Sequence, residues 1–310
     1  MTYLAELHDT DFDFDSETTE PYRTTTDDEV SSEPEPTLET VLITGCSSGI
    51  GRATAKAFRS EGWLVYATAR DEDDLADLAD IGCETAELDV TDRGQVERVG
   101  DRVVDEAGHI DCVVNNAGYA QMGPIEDVPT EKVHEQFDVN VYGPHRLVRA
   151  AAPHMREAED GTFVNVSSVS GKLSVAGTGV YSASKFAVEA MSDALRSELR
   201  DFDVEVVVVE PGPVATQFTD RADSEVDDLP RSEAYDDLYE LFEDASLVAG
   251  DGPLSVSPNQ VAGVILNAAS STDPATRYPV GTVAKYGLLA RYLPDRIRDV
   301  VVGLVRRFAT

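Results

Sequence analysis

Tyr181 and Lys185, in the stretch YSASK, stand four positions apart with only two serines and an alanine between them. On a helix that spacing puts both side chains on one face, so the lysine arm can reach the phenol. A free tyrosine ionises near pH 10, and a neighbouring cation favours the phenolate. Such a pair can exchange a proton with a carbonyl or alcohol oxygen. The same pattern also arises by chance on exposed helices, so the chemistry needs partners elsewhere in the chain. Ser167 and Ser168 are candidates, ending the apolar run TFVNVSS shortly before Tyr181. A serine hydroxyl could donate to the same oxygen and steady its developing charge. Asn140, in FDVNVYG, falls in the middle of a helical pattern, where asparagine is unfavourable without a partner of its own.

These residues must be positioned by the surrounding elements. From Thr40 onward, short Val-rich apolar runs (TVLITG, WLVYATA, IDCVVNNAG, TFVNVSS, VEVVVVEPG) alternate with amphipathic segments over 49–61, 92–107, 126–157 and 181–201. Runs without strict polar alternation read as strands buried on both faces. Strands alternating with helices predict a single α/β, doubly wound, Rossmann-like domain with a central parallel sheet flanked by helices. Ligands bind such sheets beyond the carboxyl ends of the strands, and every polar or Gly-rich stretch named here falls at one of those ends.

The first run leads directly into TGCSSGIG and then a helical pattern. Gly45 permits a tight turn, Gly49 lets the backbone approach a pyrophosphate, and Gly51 allows close helix–strand packing. Thr44, Ser47, Ser48 and Ile50 complete the loop, whose helix N-terminus offers free N–H groups and a positive dipole to phosphate. The glycine spacing differs from the G-x-G-x-x-G of most dinucleotide folds. After the second run, an acidic residue would hold the ribose hydroxyls of NAD. Here Ala69 takes that place and Arg70 follows, which favours the extra phosphate of NADP, with Arg52 able to assist and NAD still possible. Asp89 and Val90 offer an edge for the adenine ring, although Asp89 could equally cap the helix starting near Asp92. Asn116, Ala117 and Gly118 of NNAG are small or polar and suit a cofactor cleft.

Taken together, Thr-Gly-x-x-x-Gly-Ile-Gly, Asn-Asn-Ala-Gly, the mid-helix Asn140, Ser168 and Tyr181-x-x-x-Lys185 resemble the classical short-chain dehydrogenase/reductase family over about residues 39–281. PGPVAT, with Pro211, Gly212, Val214 and Thr216, resembles the family's segment beside the nicotinamide. By that resemblance Asn140, Ser168, Tyr181 and Lys185 form a catalytic tetrad, and the family spacing selects Ser168 over Ser167. Tyr181 and Lys185 would also touch the cofactor. The loop and strand ends are similar to the hydroxysteroid and retinol dehydrogenase-like branch, which implies a lipophilic alcohol or carbonyl substrate. A 3-oxoacyl thioester reductase and a nucleotide-sensing scaffold that has lost catalysis are the alternatives, and a nucleotide-sugar epimerase fits less well. The intact tetrad argues against the scaffold. Homo-oligomers, dimer or tetramer, are expected.

The region 213–258 would cover the substrate and set specificity. Phe218, Tyr235, Leu238, Tyr239, Leu241 and Phe242 recur there at near-helical spacing, either lining a pocket or docking a helix on the body. Residues 1–37 are acidic, Ser/Thr-rich and Pro-punctuated, and read as a disordered tail before a catalytic domain over 38–310. The segment 283–308 is net basic, with Arg291, Arg296, Arg298, Arg306 and Arg307 among apolar residues. It could lie on an anionic membrane surface, pack across a subunit interface or cover the substrate site.

Charge sets the outer bounds. The 310 residues carry 59 Asp plus Glu against 25 Lys plus Arg, a formal net charge of −34. That balance excludes a nucleic-acid partner, whose phosphates would be repelled. Spread along the whole chain, the acids read as adaptation to high salt. Three separated cysteines, Cys46, Cys83 and Cys112, fit a reduced cytoplasmic protein, and no histidine spacing suggests a metal. No secretory signal and no membrane span are expected.

Overall fold

The computed structural model describes residues 38–216, 218–243, 255–294 and 296–297. Its strands are β1 Thr40–Thr44, β2 Leu64–Ala69, β3 Glu84–Glu87, β4 Cys112–Asn115, β5 Thr162–Val166, β6 Glu205–Pro211 and β7 Arg277–Val280. They form one seven-stranded sheet in the order β3-β2-β1-β4-β5-β6-β7, and every pairing is parallel. The chain winds outward from β1 to β3, then returns to place β4 on the other side of β1. That reversal opens a crevice at the carboxyl ends of β1 and β4, the place where such sheets bind ligands.

The helices are α1 Gly49–Ser60, α2 Ala76–Asp80, α3 Arg93–Ala107, α4 Thr130–Phe137, α5 Gly143–Ala158, α6 Gly179–Leu199, α7 Phe218–Asp227, α8 Asp236–Glu243 and α9 Pro258–Ala269. Strands β1, β2, β4, β5 and β6 send alternate side chains to two separate cores. Val41, Ile43, Val164, Val207 and Val209 pack on one face with Ala55 and Phe58 of α1 and Val261 and Ile265 of α9. Leu42, Val113, Phe163 and Val206 pack on the other with Val99 and Val103 of α3 and Leu147 and Met155 of α5. Burial on both faces is why these runs are valine-rich rather than alternating.

Some local readings are revised. The helical pattern over 126–157 is α4 and α5 joined by a π-helical turn, Asp138–Tyr142, with Asn140 at its centre. The edge strand β7 and the helix α9 are absent from the elements expected above, although α9 opens on a capping box of Ser257 and Gln260 with Pro258 in its first turn. Asp92, not Asp89, caps α3, its carboxylate accepting from Gln95 N at 3.1 Å. Asp89 instead closes a turn with the Thr91 amide at 2.8 Å and the Thr91 hydroxyl at 2.7 Å.

In the 213–258 region, Tyr239 and Leu238 are buried, and the Tyr235 and Tyr239 hydroxyls donate to Glu126 and Asp127. These residues dock the segment on the loop after β4. The side chains of Phe218, Leu241 and Phe242 lie outside the described residues, as do the 1–37 segment and Arg298, Arg306 and Arg307. Among the described residues, no helix is long and apolar enough to cross a membrane.

Candidate active site

The glycine loop is built by close approach to β4's end. Gly45 has φ +74°, and a Cβ there would lie 2.9 Å from Ala117 Cα. A Cβ on Gly51 would overlap the Gly45 carbonyl oxygen, so only glycine lets α1 start there. Thr44 Oγ1 accepts from the amides of Asn116 and Ala117, both at 3.1 Å. Asn116 Nδ2 returns two bonds, to Thr44 O at 2.8 Å and Gly45 O at 3.1 Å. The two stretches predicted to share a cofactor are therefore stitched into one unit. Ser48 caps α1 in an extended conformation, and the first turn of α1 carries no acidic residue that would repel phosphate. Thr216 overhangs the loop, its Cγ2 3.1 Å from where a Gly49 Cβ would sit. The PGPVAT segment thus lies beside the glycine turn; Gly212 N donates to Val280 O at 3.0 Å and Val214 bridges to Val256.

Arg70 is exposed at the end of β2. Arg52 is tied instead to the segment beside it, pairing with Asp77 at 3.1 Å and donating to the Asp74 carbonyl. Val90 is buried against Gly143, where a Cβ would come within 2.8 Å of its Cγ2.

At the other end of the crevice, the four candidate catalytic residues converge from three elements. Tyr181 and Lys185 occupy the first turns of α6, both buried. Ser168 follows β5, caps the short 3₁₀ turn Val169–Gly171 through the Ser170 amide, and hydrogen-bonds to the Tyr181 phenol. Asn140 is 1% exposed, and its side chain is fully committed. Its Oδ1 accepts from Tyr119 N at 3.1 Å, while its Nδ2 donates to Tyr119 O at 3.0 Å and Ser184 Oγ at 3.1 Å. Ser184 in turn donates to the Tyr181 carbonyl at 2.7 Å. The π-helical turn therefore ties the NNAG loop to α6, a use consistent with such turns marking functional sites.

Lys185 is buried and bonds to the end of β5. Its Nζ donates to Val166 O at 2.9 Å and sits 5.9 Å from the centroid of the Tyr181 ring. Burial lowers its pKa to about 8, against the opposing pull of Glu189. Burial likewise pushes Tyr181 up to about 12, with the bond from Ser168 working the other way. In this arrangement desolvation outweighs any lowering of the phenol by the lysine.

Beside Tyr181 the surface is small and apolar: Ala120 and Ala222 are buried against it, with Met122 partly buried. Sequence reasoning had passed over Ser184, Glu189 and Glu210. A carboxylate inside the apolar run VEVVVVEPG was the available signal for Glu210. The three thiols are free and buried, and burial pushes Cys46 up to about 12. Among the described residues, no group of three or more His, Cys, Asp or Glu is arranged to hold a metal.

A parallel sheet with a glycine turn at its switch point and a Tyr–Ser pair beyond the end of β5 defines a dinucleotide-fold oxidoreductase. The short chain dehydrogenase family model matches residues 39–227. The chain belongs to the classical short-chain dehydrogenase/reductase family of oxidoreductases. It is 35% identical to the Escherichia coli K12 oxidoreductase YbbO, over 85% of this chain and 94% of that one. It is 31% identical to 3-ketodihydrosphingosine reductase of Bacteroides thetaiotaomicron, over 85% and 96%. It is 34% identical to bovine retinol dehydrogenase 8, over 78% and 81%.

Among solved structures, a Streptomyces avermitilis short-chain dehydrogenase superposes with TM-score 0.73 at 33% identity, covering 87% of this chain and 96% of its own. A serine dehydrogenase bound to NADP⁺ superposes at 0.70 and 27%, covering 79% and 95%. A Burkholderia phymatum enzyme bound to NAD superposes at 0.68 and 26%, covering 77% and 88%.

Proposed function

We propose that this protein is an NADP-preferring oxidoreductase that interconverts a lipophilic secondary alcohol and ketone, or primary alcohol and aldehyde, with Tyr181 as the general acid/base. The observation that carries the reading is the buried Tyr181 phenol, hydrogen-bonded to Ser168 at the mouth of the crevice opposite the glycine loop.

The residues present fit a nicotinamide dinucleotide. Gly45, Gly49 and Gly51 leave a cradle beside Asn116 and Thr216 that side chains would fill, and the N-terminus of α1 faces it. The loop Thr44–Gly51 with Asn116, Ala117 and Gly118 would hold the pyrophosphate side. Pro211, Gly212, Val214 and Thr216 would flank the nicotinamide. Asp89 and Val90 would border the adenine, and Arg70 would meet a 2′-phosphate. Bound there, the nicotinamide supplies the hydride acceptor or donor.

The chain's own work is to manage the proton. At neutral pH a phenol titrating at about 12 keeps its hydrogen, so Tyr181 is poised to donate to a carbonyl oxygen during reduction. Ser168 donates to the same oxygen. In alcohol oxidation Tyr181 must accept a proton, which requires added positive charge nearby; Lys185 is the side chain able to supply it. Asn140 holds Tyr119 and Ser184 in place and so keeps the phenol's helix turn aligned with the crevice.

The small apolar surface of Ala120, Met122 and Ala222 beside the phenol supports a lipophilic substrate. Two relatives are named for the sphingoid ketone and retinol they act on, which agrees with that choice. Three buried reduced cysteines agree with a cytoplasmic setting.

The test is turnover of NADPH with a panel of long-chain and ring ketones. Tyr181→Phe should lower kcat by about 10²–10⁴-fold, the usual weight of a positioned proton donor. Cofactor affinity by fluorescence titration should be unchanged. Unimpaired turnover in that variant would overturn the mechanism.

A further inference from the structure

Behind Lys185 lies a set of buried charges that the proton transfer above does not use. One helical turn beyond it on α6, Glu189 is 3% exposed, and Glu210 at the end of β6 is 2% exposed. The two carboxyls are in hydrogen-bonding contact. Glu189 Oε2 takes Lys172 Nζ at 2.7 Å and Arg277 at 3.1 Å, and Arg277 Nε lies 3.5 Å from Glu210 Oε1. Glu189 Oε1 and Glu210 Oε1 are both buried without a hydrogen bond, the Arg277 approach to Glu210 being an ion pair only.

A buried carboxylate oxygen without a hydrogen bond is strongly disfavoured, and each of these two carboxyls carries one. One proton held between the two carboxyls supplies a hydrogen bond in place of a second buried charge. Neighbouring buried carboxyls ionise in this way because the second charge is opposed by the first. Lys172 pairs with Glu189, and Arg277 approaches Glu189 more closely than Glu210, so the charge stays on Glu189 and Glu210 carries the proton. Burial, then the Glu189 charge, pushes Glu210 up to about 7, in agreement with that assignment.

The other charged groups facing the pair are Lys185 and Asp193 from α6, Lys172 after the 3₁₀ turn, and Arg277 from β7. Asp193 is taken by Arg277 at 2.7 Å and by Arg196 at 2.9 Å. The packed helix α9 contributes no charged residue. Gly171 makes the approach possible: a Cβ there would lie 3.1 Å from Glu189 Cγ and 3.2 Å from Lys185 O.

We propose that Glu189 and Glu210 share one proton and that the charge left on Glu189 keeps Lys185 cationic, making Glu189 a positioning residue for the Tyr181–Lys185 pair. The idea rests on the acid/base reading of that pair, and its test therefore does not depend on turnover. The chain has only five lysines, so ¹³C-lysine NMR of the intact cofactor-free protein can follow Lys185, assigned with Lys185→Arg. Lys185 should titrate near pH 8 in the parent protein. In Glu189→Gln its titration should fall by about one pH unit or more. In Glu210→Gln, whose amide still donates to a charged Glu189, it should stay within a few tenths of a unit.

A folded Glu189→Gln protein with an unmoved Lys185 titration overturns the proposal. Should that variant fail to fold, infrared spectra of ¹³C-glutamate-labelled parent protein decide the matter. A protonated-carboxyl band that persists to near pH 7 and vanishes in Glu210→Gln supports the shared proton; its absence from the parent overturns it. In turnover, the rising limb of alcohol oxidation should move to higher pH in Glu189→Gln with KM unchanged. A uniform fall in kcat with the limb in place would assign Glu189 a structural role only, against the proposal. Retained activity in Tyr181→Phe would defeat the functional reading while leaving the lysine titration to be judged on its own.

Discussion

At the scale of single residues, the competition that matters is between burial and charge. Tyr181 and Lys185 are both pushed toward their neutral forms by desolvation, to about 12 and about 8. A protonated phenol favours carbonyl reduction, so reduction should fall with rising pH while alcohol oxidation rises, as parallel pH–rate profiles will read. A reduction rate that increases with pH would remove Tyr181 as the donor. In the function proposed above, Arg70 meets the cofactor at the other end of the site. Its exposed guanidinium can pair with a 2′-phosphate, whereas aspartate there would repel one. Arg70→Asp should weaken NADPH by about 10–100-fold relative to NADH, worth roughly 1.4–2.8 kcal/mol. An unchanged ratio of the two dissociation constants would refute the assigned preference. That Tyr181 and Lys185 share a helix and that Ser168 and Arg70 follow strand ends was legible in the chain, because spacing and strand ends are local features. Glu189 was not, because one glutamate on a helix in so acidic a chain looks like solvated surface until β6 and β7 cover it.

At the scale of elements, two connections hold the crevice open in the right shape. Gly51 lies where α1 crosses the loop, and a methyl group there would overlap Gly45 O and Asn116 Nδ2. Gly51→Ala should cost about 1–3 kcal/mol by overpacking and weaken cofactor binding at the same time. A calorimetric melting temperature equal to the parent's would show that the loop relaxes freely. Asp127, in the loop after β4, anchors the 213–258 region by accepting from Ser232 N at 3.0 Å, Ser232 Oγ and Tyr239 Oη at 2.7 Å. Burial works against its charge, yet the bonds from Ser232 and Tyr239 hold its carboxyl below the usual range. Asp127→Ala should raise KM more than it lowers kcat and cost on the order of 2 kcal/mol. A KM equal to the parent's would mean the segment is held without Asp127. The glycine loop was legible from its turn chemistry. Neither the Asp127 anchor nor the Asn140 π-helical turn was, since their partners are distant in sequence.

At the scale of the whole molecule, charge dominates. A net charge of −34 is self-repulsive wherever screening is weak. The Debye length shrinks from about 10 Å at 0.1 M salt to about 3 Å at 1 M. The unfolding midpoint in urea should therefore rise steadily as KCl is raised into the molar range, and a midpoint indifferent to salt would refute salt adaptation. Glu210 adds a pH term of definite sign. Its folded pKa lies above the ordinary carboxylate value, so its contribution is present at low pH and is lost as pH rises through about 7. The stability of the parent protein minus that of Glu210→Gln should thus decline from the carboxylate range to neutrality and then level off. A flat difference across that range would contradict the raised value.

The chain's pattern alone determined the parallel sheet, the glycine turn, the strand-end polar residues and the spacing of Tyr181 and Lys185. Each of these depends on local backbone chemistry or on burial periodicity, both written in consecutive residues. Tertiary structure alone decided how deeply the reacting pair is desolvated, because exposure depends on which elements cover α6. It also decided that Asn140 serves as a brace between Tyr119 and Ser184. Last, it brought Glu189, Glu210, Lys172 and Arg277 from four separate elements into one buried network behind the lysine. So close to a second buried carboxyl, those few ångströms bear directly on the charge of Glu210, and no spacing along the sequence encodes them.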